Sequence, residues 1–471
     1  MDWQKQTPKK KPESKNKMTT HNFDYDYFVI GGGSGGVRSA RIAASHGVKV
    51  GLAESKSLGG TCVNVGCVPK KLFVYAADYA AHLKDAKGYG WDVPAATFHW
   101  QKLIENKNAE IERLNAIYEK MLGNAGVTIH KGFAHFVDKN TVSINGENIT
   151  AEKFLIAVGG KPTRPNFEGS DHVITSDDMF YLDDLPQSLA VQGGGYIGLE
   201  FAHIMHKLGV KVTLIHRGDK FLRGFDEDLR TFVTDEMKNK DIDVRLNVNV
   251  EKITQNGPSK TVTLSDGTTV ECDIFLGAIG RTPDTAQLNL DNIGVERTKS
   301  GHIITNDIFE TSINHIHAVG DITDTVALTP VAIAEGHMLA DRLYRKDGQH
   351  AANKDLIASA VFTSPPLATV GLTEQDAIDK GYEISIFRSN FKPMINTLSK
   401  NEERAMMKII VDKKTDKVLG FHMGGKDSPE IMQGFAAALI AGITKSQLDQ
   451  TIGIHPTSAE EFVTMRTPID E

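Results

Sequence analysis

The sequence predicts an α/β chain in which one strand, turn, helix, strand unit occurs twice and a C-terminal α+β domain follows. Three observations carry this: a glycine-rich turn between apolar runs at Tyr25–Glu54, the return of the same pattern 162 positions later, and alternating β-like and helix-like runs after residue 354. The chain has 471 residues, 40% of them hydrophobic, too many for one ordinary core, so several packed domains are expected. A net charge of −7 gives no global basic field. Neither nucleic acid nor an anionic membrane is therefore expected as a partner, although local arginines can hold a small anion.

Residues 1–17 are polar and lysine-rich without apolar periodicity, and 1–21 are expected to form a disordered tail. They lack the apolar core of a secretory signal and the arginine-rich amphipathic pattern of a transit peptide. No apolar run approaches the roughly 20 residues of a membrane span, so a cytoplasmic location is expected.

At Tyr25 an apolar run leads into Gly31-Gly32-Gly33-Ser34-Gly35-Gly36, a helix-like stretch and a second apolar run ending at Glu54. Gly31, Gly33 and Gly36 have the GxGxxG spacing, which permits a tight turn, close pyrophosphate approach and helix packing on the strand. A lone glycine motif reads equally as a loop, but the strand context and Glu54, 23 positions after Gly31, favour a Rossmann-like unit. A carboxylate there accepts hydrogen bonds from a ribose 2′-OH, which suits an adenine dinucleotide such as FAD.

The second copy has Gly193, Gly195 and Gly198, and Gly209-Val210-Lys211-Val212 repeats Gly47-Val48-Lys49-Val50. Where the first copy has Glu54 the second has His216, followed by Arg217 and then Arg223. An acid would repel a 2′-phosphate, whereas arginines bind it, so NADPH is expected here. The alternative is that both arginines are ordinary surface residues.

Three cysteines cannot make a disulfide framework in so long a chain. Cys272, within the strand-like stretch Val270–Leu276, reads as core. Cys62 and Cys67 lie five positions apart. In a regular helix that separation is about 8.5 Å between Cα atoms, beyond a disulfide's span, so Cys62 is expected in irregular chain and Cys67 near the start of the helix that Pro69 favours. There the helix dipole would lower its pKa, with Lys70 and Lys71 adding charge unless they are merely the helix's solvated face. No further cysteine cluster completes a zinc site, and no metal is expected.

The segment Gly59-Gly60-Thr61-Cys62-Val63-Asn64-Val65-Gly66-Cys67-Val68-Pro69-Lys70-Lys71 resembles the redox loop of the pyridine nucleotide-disulfide oxidoreductases, and of their glutathione-reducing branch in particular. The resemblance runs from Tyr25 over nearly the whole chain. It implies two Rossmann-like dinucleotide-binding domains plus a C-terminal α+β dimerisation domain: 22–159 for FAD, 160–282 for NADPH, 283–353 returning to FAD, and 354–471 as the interface of a homodimer. It further implies that Cys67 is the flavin-facing thiolate and Cys62 the nucleophile toward glutathione disulfide.

Gly60 and Thr61, Leu328 and Thr329 in LTPVAIAEG, and Asp321 in HAVGD would border FAD, although a strand-end Asp is often only a helix cap. Lys70 and Glu200 resemble the ion pair beside the flavin, Tyr196 the aromatic gate over the nicotinamide, and Ile197, Gly280 and Arg281 fall in the matching NADPH segments. Toward the end, His455 resembles the general acid/base and Glu460 its orienting partner, reaching the cysteines of the other subunit. The residues themselves equally fit a capping box, Thr457-x-x-Glu460.

For the substrate, Ser34, Arg41 and Tyr118 match glutathione-contacting positions. Arg38 and Arg41 stand where trypanothione enzymes carry Glu and Trp, and cations suit an acidic tripeptide disulfide. Some glutathione-reducing members have arginine at the position of His337, which implies a substrate carboxylate held differently here. Phe391 and Met394 resemble substrate-lining positions, yet read alone they are core. The missing acid at His216 disfavours lipoamide dehydrogenases. The lack of a C-terminal cysteine pair disfavours mercuric and large thioredoxin reductases.

Overall fold

The computed structural model describes residues 23–346 and 352–469; the tail expected over 1–21 lies outside them. The first strand, β1 (Tyr25–Ile30), is almost wholly buried. It is followed by helix α1 (Ser34–Ser45) and strand β2 (Val50–Glu54). β1 pairs in parallel with β2 on one side and with Glu147–Ile156 on the other. Thr128–Lys131 extends the sheet beyond β2, and an antiparallel meander, Ala134–Asp138 and Thr141–Ile144, turns back beside Glu147–Ile156. The chain returns much later: Ile316–Ala318 adds a parallel strand to Glu147–Ile156. Residues near 320 and near 30 thus share one sheet.

The second unit repeats the plan. Ser188–Gln192, Lys211–His216, Asp243–Leu246 and Ile274–Gly277 form a four-stranded parallel sheet, with helix Tyr196–Lys207 between the first two. An antiparallel sheet, Val250–Asn256, Ser259–Leu264 and Thr269–Cys272, covers one side. The stretch read as one strand at Val270–Leu276 is two, because Asp273 breaks it: its carboxylate accepts the Gln187 and Ser188 N–H groups at 3.0 and 2.9 Å. Cys272 is buried in the core of this unit. Gly160–Pro162 pairs with Arg281–Pro283 where the chain leaves and re-enters the first unit.

The C-terminal part is a five-stranded antiparallel sheet, Ser359–Val361, Leu367–Gly371, Val418–Gly424, Ala405–Asp412 and Ile384–Phe391, with helix Ser428–Ile440 packed on it. Its interior strand Ala405–Asp412, between Val418–Gly424 and the edge strand Ile384–Phe391, is buried at every position, as a strand covered on both faces must be. Among the described residues no helix is long and apolar enough to cross a membrane.

Candidate active site

The two glycine turns are built alike. At Gly31, φ is +109°, and a Cβ would lie 2.4 Å from the Ala157 carbonyl oxygen; at Gly36 it would lie 2.0 Å from the Gly31 oxygen. Any side chain there would push α1 off β1. At Gly33 nothing nearer than the Gly60 Cα at 3.8 Å is met, so the backbone is bare toward the cleft. Neither α1 nor helix Tyr196–Lys207 has a side-chain N-cap bond or an acid in its first turn. Their first N–H groups are therefore available to an anion.

Glu54 ends β2 with its carboxylate fixed, accepting the Gly32 N–H at 2.8 Å and the Lys56 N–H at 2.7 Å. These features border a cavity of about 1010 Å³, at the upper end of pockets for drug-sized ligands, about 300–1,000 Å³. Its lining includes Gly31, Gly33, Ser34, Gly35, Glu54, Gly60, Thr61, both cysteines, Lys70, Tyr196, Ile197, Glu200, Arg281, Asp321, Leu328 and Thr329. An elongated dinucleotide fits this donor set: a bare glycine cradle, a fixed strand-end carboxylate and a second, half-buried carboxyl at Asp321. Burial raises the pKa of Asp321, and Arg281 opposes the rise.

Cys62 does not lie in irregular chain. It sits in a short helical turn, α2 (Gly60–Asn64), and Cys67 opens the next helix, α3 (Cys67–Asp85), after a break at Val65 and Gly66. The Asn64 side chain holds the turn by donating to the Leu58 and Gly60 carbonyls at 3.1 and 2.9 Å, and Asn115 donates to Leu58 O at 2.8 Å. A Cβ at Gly66 would be 2.7 Å from Thr61 O and 3.2 Å from the Cys62 Cα. Only glycine there lets the start of α3 come down onto Cys62.

The cysteines are free thiols with opposite character. Cys67 is held at about 6, chiefly by a hydrogen bond from the Cys62 thiol, against desolvation, and then by the Thr329 hydroxyl and the Lys70 charge. Cys62 is pushed far up by the same bond and by burial. The Thr329 Oγ1 lies 3.6 Å from Cys67 Sγ. The Cys62 thiol thus adds a hydrogen bond to the helix start as support for the Cys67 thiolate.

Lys70 Nζ meets Glu200 Oε1 at 3.0 Å. Glu200 is buried; burial raises its pKa, and Lys70 and the Phe362 N–H, 2.8 Å from Oε1, oppose the rise. Phe362 was missed by the sequence reading. Its ring also lies under the ammonium groups of Lys70 and Lys71, at 3.9 and 3.8 Å. Nothing local marks it, since it follows a three-residue strand 162 positions from Glu200. Tyr196 opens its helix at the cleft wall and is 41% exposed.

The remaining expected residues are dispersed. The Tyr118 phenol is raised by burial and by Cys62 and lowered by Arg38 and Arg41. His337 pairs with the buried Asp341, which His46 and Arg345 share. Phe391 packs on the C-terminal core and Met394 is exposed; neither lines the cavity of its own chain. His455 Nδ1 is 3.1 Å from Glu460 Oε1, with 80% of the His455 side chain exposed. Glu460 also accepts the Thr457 N–H at 3.3 Å, so one carboxylate both caps the turn and holds the histidine. His455 lies outside the cavity of its own chain, beside the exposed Ile452 and Ile454. Gly193, Gly195, Gly198, Gly280, His216, Arg217 and Arg223 also lie outside it, at the second glycine turn and the loops beside it.

Comparison with known proteins gives a consistent likeness. Residues 25–336 match the model of the pyridine nucleotide-disulphide oxidoreductases, and 357–466 match that family's dimerisation domain. The chain is 44% identical to a glutathione reductase of Burkholderia cepacia over 94% of its own length and 99% of the relative's. It is 45% identical to one from Nostoc sp., over 94% and 100%. It is 42% identical to a chloroplastic/mitochondrial glutathione reductase of Pisum sativum, over 95% and 83%.

Proposed function

Because the chain belongs to the pyridine nucleotide-disulphide oxidoreductase family, we propose that it reduces glutathione disulfide to two glutathione molecules with electrons from NADPH, using FAD and the Cys62–Cys67 pair. The observation that carries the reading is the inequality of the two thiols beside a glycine cradle suited to a dinucleotide. FAD and NADPH are the cofactors. Bound FAD supplies the means to split a two-electron donor from a disulfide acceptor.

Gly31, Gly33, Ser34, Gly35, Gly36 and Glu54 would hold the FAD pyrophosphate and ribose, with Gly60, Thr61, Asp321, Leu328 and Thr329 along the rest. Gly193, Gly195, Ile197, Gly198, Gly280 and Arg281 would receive NADPH under Tyr196, with His216, Arg217 and Arg223 at its 2′-phosphate. Lys70, fixed by Glu200, keeps a positive charge at the cleft floor and favours the Cys67 thiolate. In the reduced pair the proton rests on Cys62. Attack therefore needs a base, and we assign that role to His455 of a second copy, oriented by Glu460.

As Cys62 gives its proton to the histidine, its sulfur attacks one substrate sulfur, forming a mixed disulfide. The departing glutathione thiolate takes the proton back. The Cys67 thiolate then attacks the Cys62 sulfur, re-forming the internal disulfide and releasing the second glutathione. Ser34, Arg41, Tyr118, His337, Phe391 and Met394 are assigned to the substrate, the cations to its carboxylates.

The test separates half-reactions. In His455→Gln, reduction of the oxidised enzyme by NADPH should be unchanged, while turnover of glutathione disulfide falls about 10²–10⁴-fold, the usual worth of general acid–base catalysis. Equal loss of both steps would refute the assignment.

A further inference from the structure

The loop that follows strand Lys211–His216 carries the two arginines assigned to the 2′-phosphate, and both are exposed. Between them Phe221 and Leu222 are buried, at 0% and 2% exposure. Leu222 has φ +53°, a left-handed conformation that a leucine does not adopt without its surroundings imposing it. Its N–H donates to the Gly194 carbonyl at 2.8 Å, tying the loop to the second glycine turn.

The Asn247 N–H holds the Gly218 carbonyl at 3.1 Å, and one side chain binds two successive carbonyls of the loop. Arg230 Nε donates to Phe221 O at 2.8 Å, and Nη2 donates to Lys220 O at 3.1 Å. Its Nη1 meets Glu227 Oε2 at 2.7 Å, and Glu227 is also paired with Lys220. The His216 ring lies against Phe221 and the glycine turn.

The helix that carries Arg230 is tied at its start. Helix Glu227–Lys238 is capped by Asp226, whose carboxylate accepts the Asp228 N–H at 3.1 Å and the ammonium of Lys408 at 2.9 and 3.0 Å. Asp226 and Lys408 are both 0% exposed, and Lys408 belongs to the C-terminal sheet. The loop is thus moored through Arg230 to a helix that the C-terminal sheet anchors.

We propose that Arg230 is a positioning residue for recognition of the 2′-phosphate. Its forked guanidinium holds two consecutive carbonyls, keeps Leu222 in its left-handed turn and so fixes the direction in which Arg217 and Arg223 project. The same fork engages Glu227, the carboxylate nearest this clamp. A lysine would keep the charge beside Glu227 but has no planar fork to span both carbonyls. This inference rests on the reading of Arg217 and Arg223 given above.

The test uses the holoenzyme and calorimetric binding of adenosine 2′,5′-bisphosphate and of adenosine 5′-monophosphate, which differ by the 2′-phosphate. Arg230→Met and Arg230→Lys should each lose about tenfold affinity for the bisphosphate, as expected when the support of a contact is removed. Affinity for the monophosphate should hold, and the KM for NADPH should rise with little change in kcat. Full rescue by Arg230→Lys would overturn the fork in favour of charge alone. No change, or equal loss for both nucleotides, would overturn positioning. Arg217→Ala/Arg223→Ala is the control: if it leaves bisphosphate affinity intact, the loop's own assignment fails and takes the clamp with it. If the control loses affinity and Arg230→Met does not, only the clamp fails.

Discussion

The two glycine units share a backbone plan and differ in what meets the turn from the end of the neighbouring strand. In the first, Glu54 lies against Gly32 and accepts its N–H at 2.8 Å, so a fixed carboxylate faces the turn. In the second, the His216 ring occupies that place: a Cβ on Gly194 would come within 2.5 Å of it. Burial lowers the histidine's pKa and favours its neutral form, and the charges are carried by the loop that follows. One fold thus presents an acid suited to a bare ribose in one copy and exposed guanidinium groups in the other. The two copies differ at the end of the second strand and in the loop that follows it, with the glycine frame in common.

The largest break of this comparison is Glu54→Lys. A cation in place of the fixed carboxylate removes the ribose acceptor and the two backbone bonds, and the purified protein should lack flavin absorbance; full flavin content would show that Glu54 is dispensable. A smaller effect is expected when the second copy is made like the first. His216→Glu places a carboxylate at the turn, and the preference for NADPH over NADH in kcat/KM should fall about tenfold or more, a repulsion of a few kcal/mol at most across partly solvated groups. An unchanged preference would mean that the loop arginines alone set the choice.

The frame and the cysteines were legible because local spacing dictates them. Gly36 and Gly198 are required by contact with the Gly31 and Gly193 carbonyls inside one βαβ unit, while Gly31 and Gly193 are required by the Ala157 and Ala278 carbonyls at the end of a later strand, and the spacing of all four shows in the letters. Glu460 was legible twice, as cap and as partner of His455, and the structure has both bonds. What could not be read came from tertiary approach: Phe362 against Glu200, Thr329 against Cys67, and Arg230 on the loop of the second copy. Phe362 and Arg230 lie in ordinary neighbourhoods, and Thr329, read as bordering the flavin, carries nothing in its own segment that points to Cys67. The short helix around Cys62 was misjudged because the separation argument allowed one helix or none, whereas Gly66 permits two helices meeting at an angle.

The smallest effect concerns pH. The Cys67 pKa is depressed from the ordinary thiol value of 9.0 to about 6, so the fold favours its thiolate. That contribution to the reduced protein's stability is complete above the ordinary value and is lost as pH falls through about 6. The ultraviolet thiolate absorbance of the reduced enzyme, taken as the difference from Cys67→Ser, should disappear with a midpoint near 6. A midpoint near the ordinary value would show that neither Cys62 nor Thr329 supports the charge.

The central claim is that a flavin site, an NADPH site and an unequal thiol pair act in series on glutathione disulfide. The direct measurement is oxidation of NADPH, and in parallel of NADH, by the purified enzyme with glutathione disulfide, trypanothione disulfide, lipoamide or thioredoxin as acceptor, with Cys62→Ser as the blank. The account predicts efficient turnover with NADPH and glutathione disulfide, poor turnover with NADH or the other acceptors, and none in the blank. Efficient turnover only with another disulfide, or equal use of NADH, would contradict it.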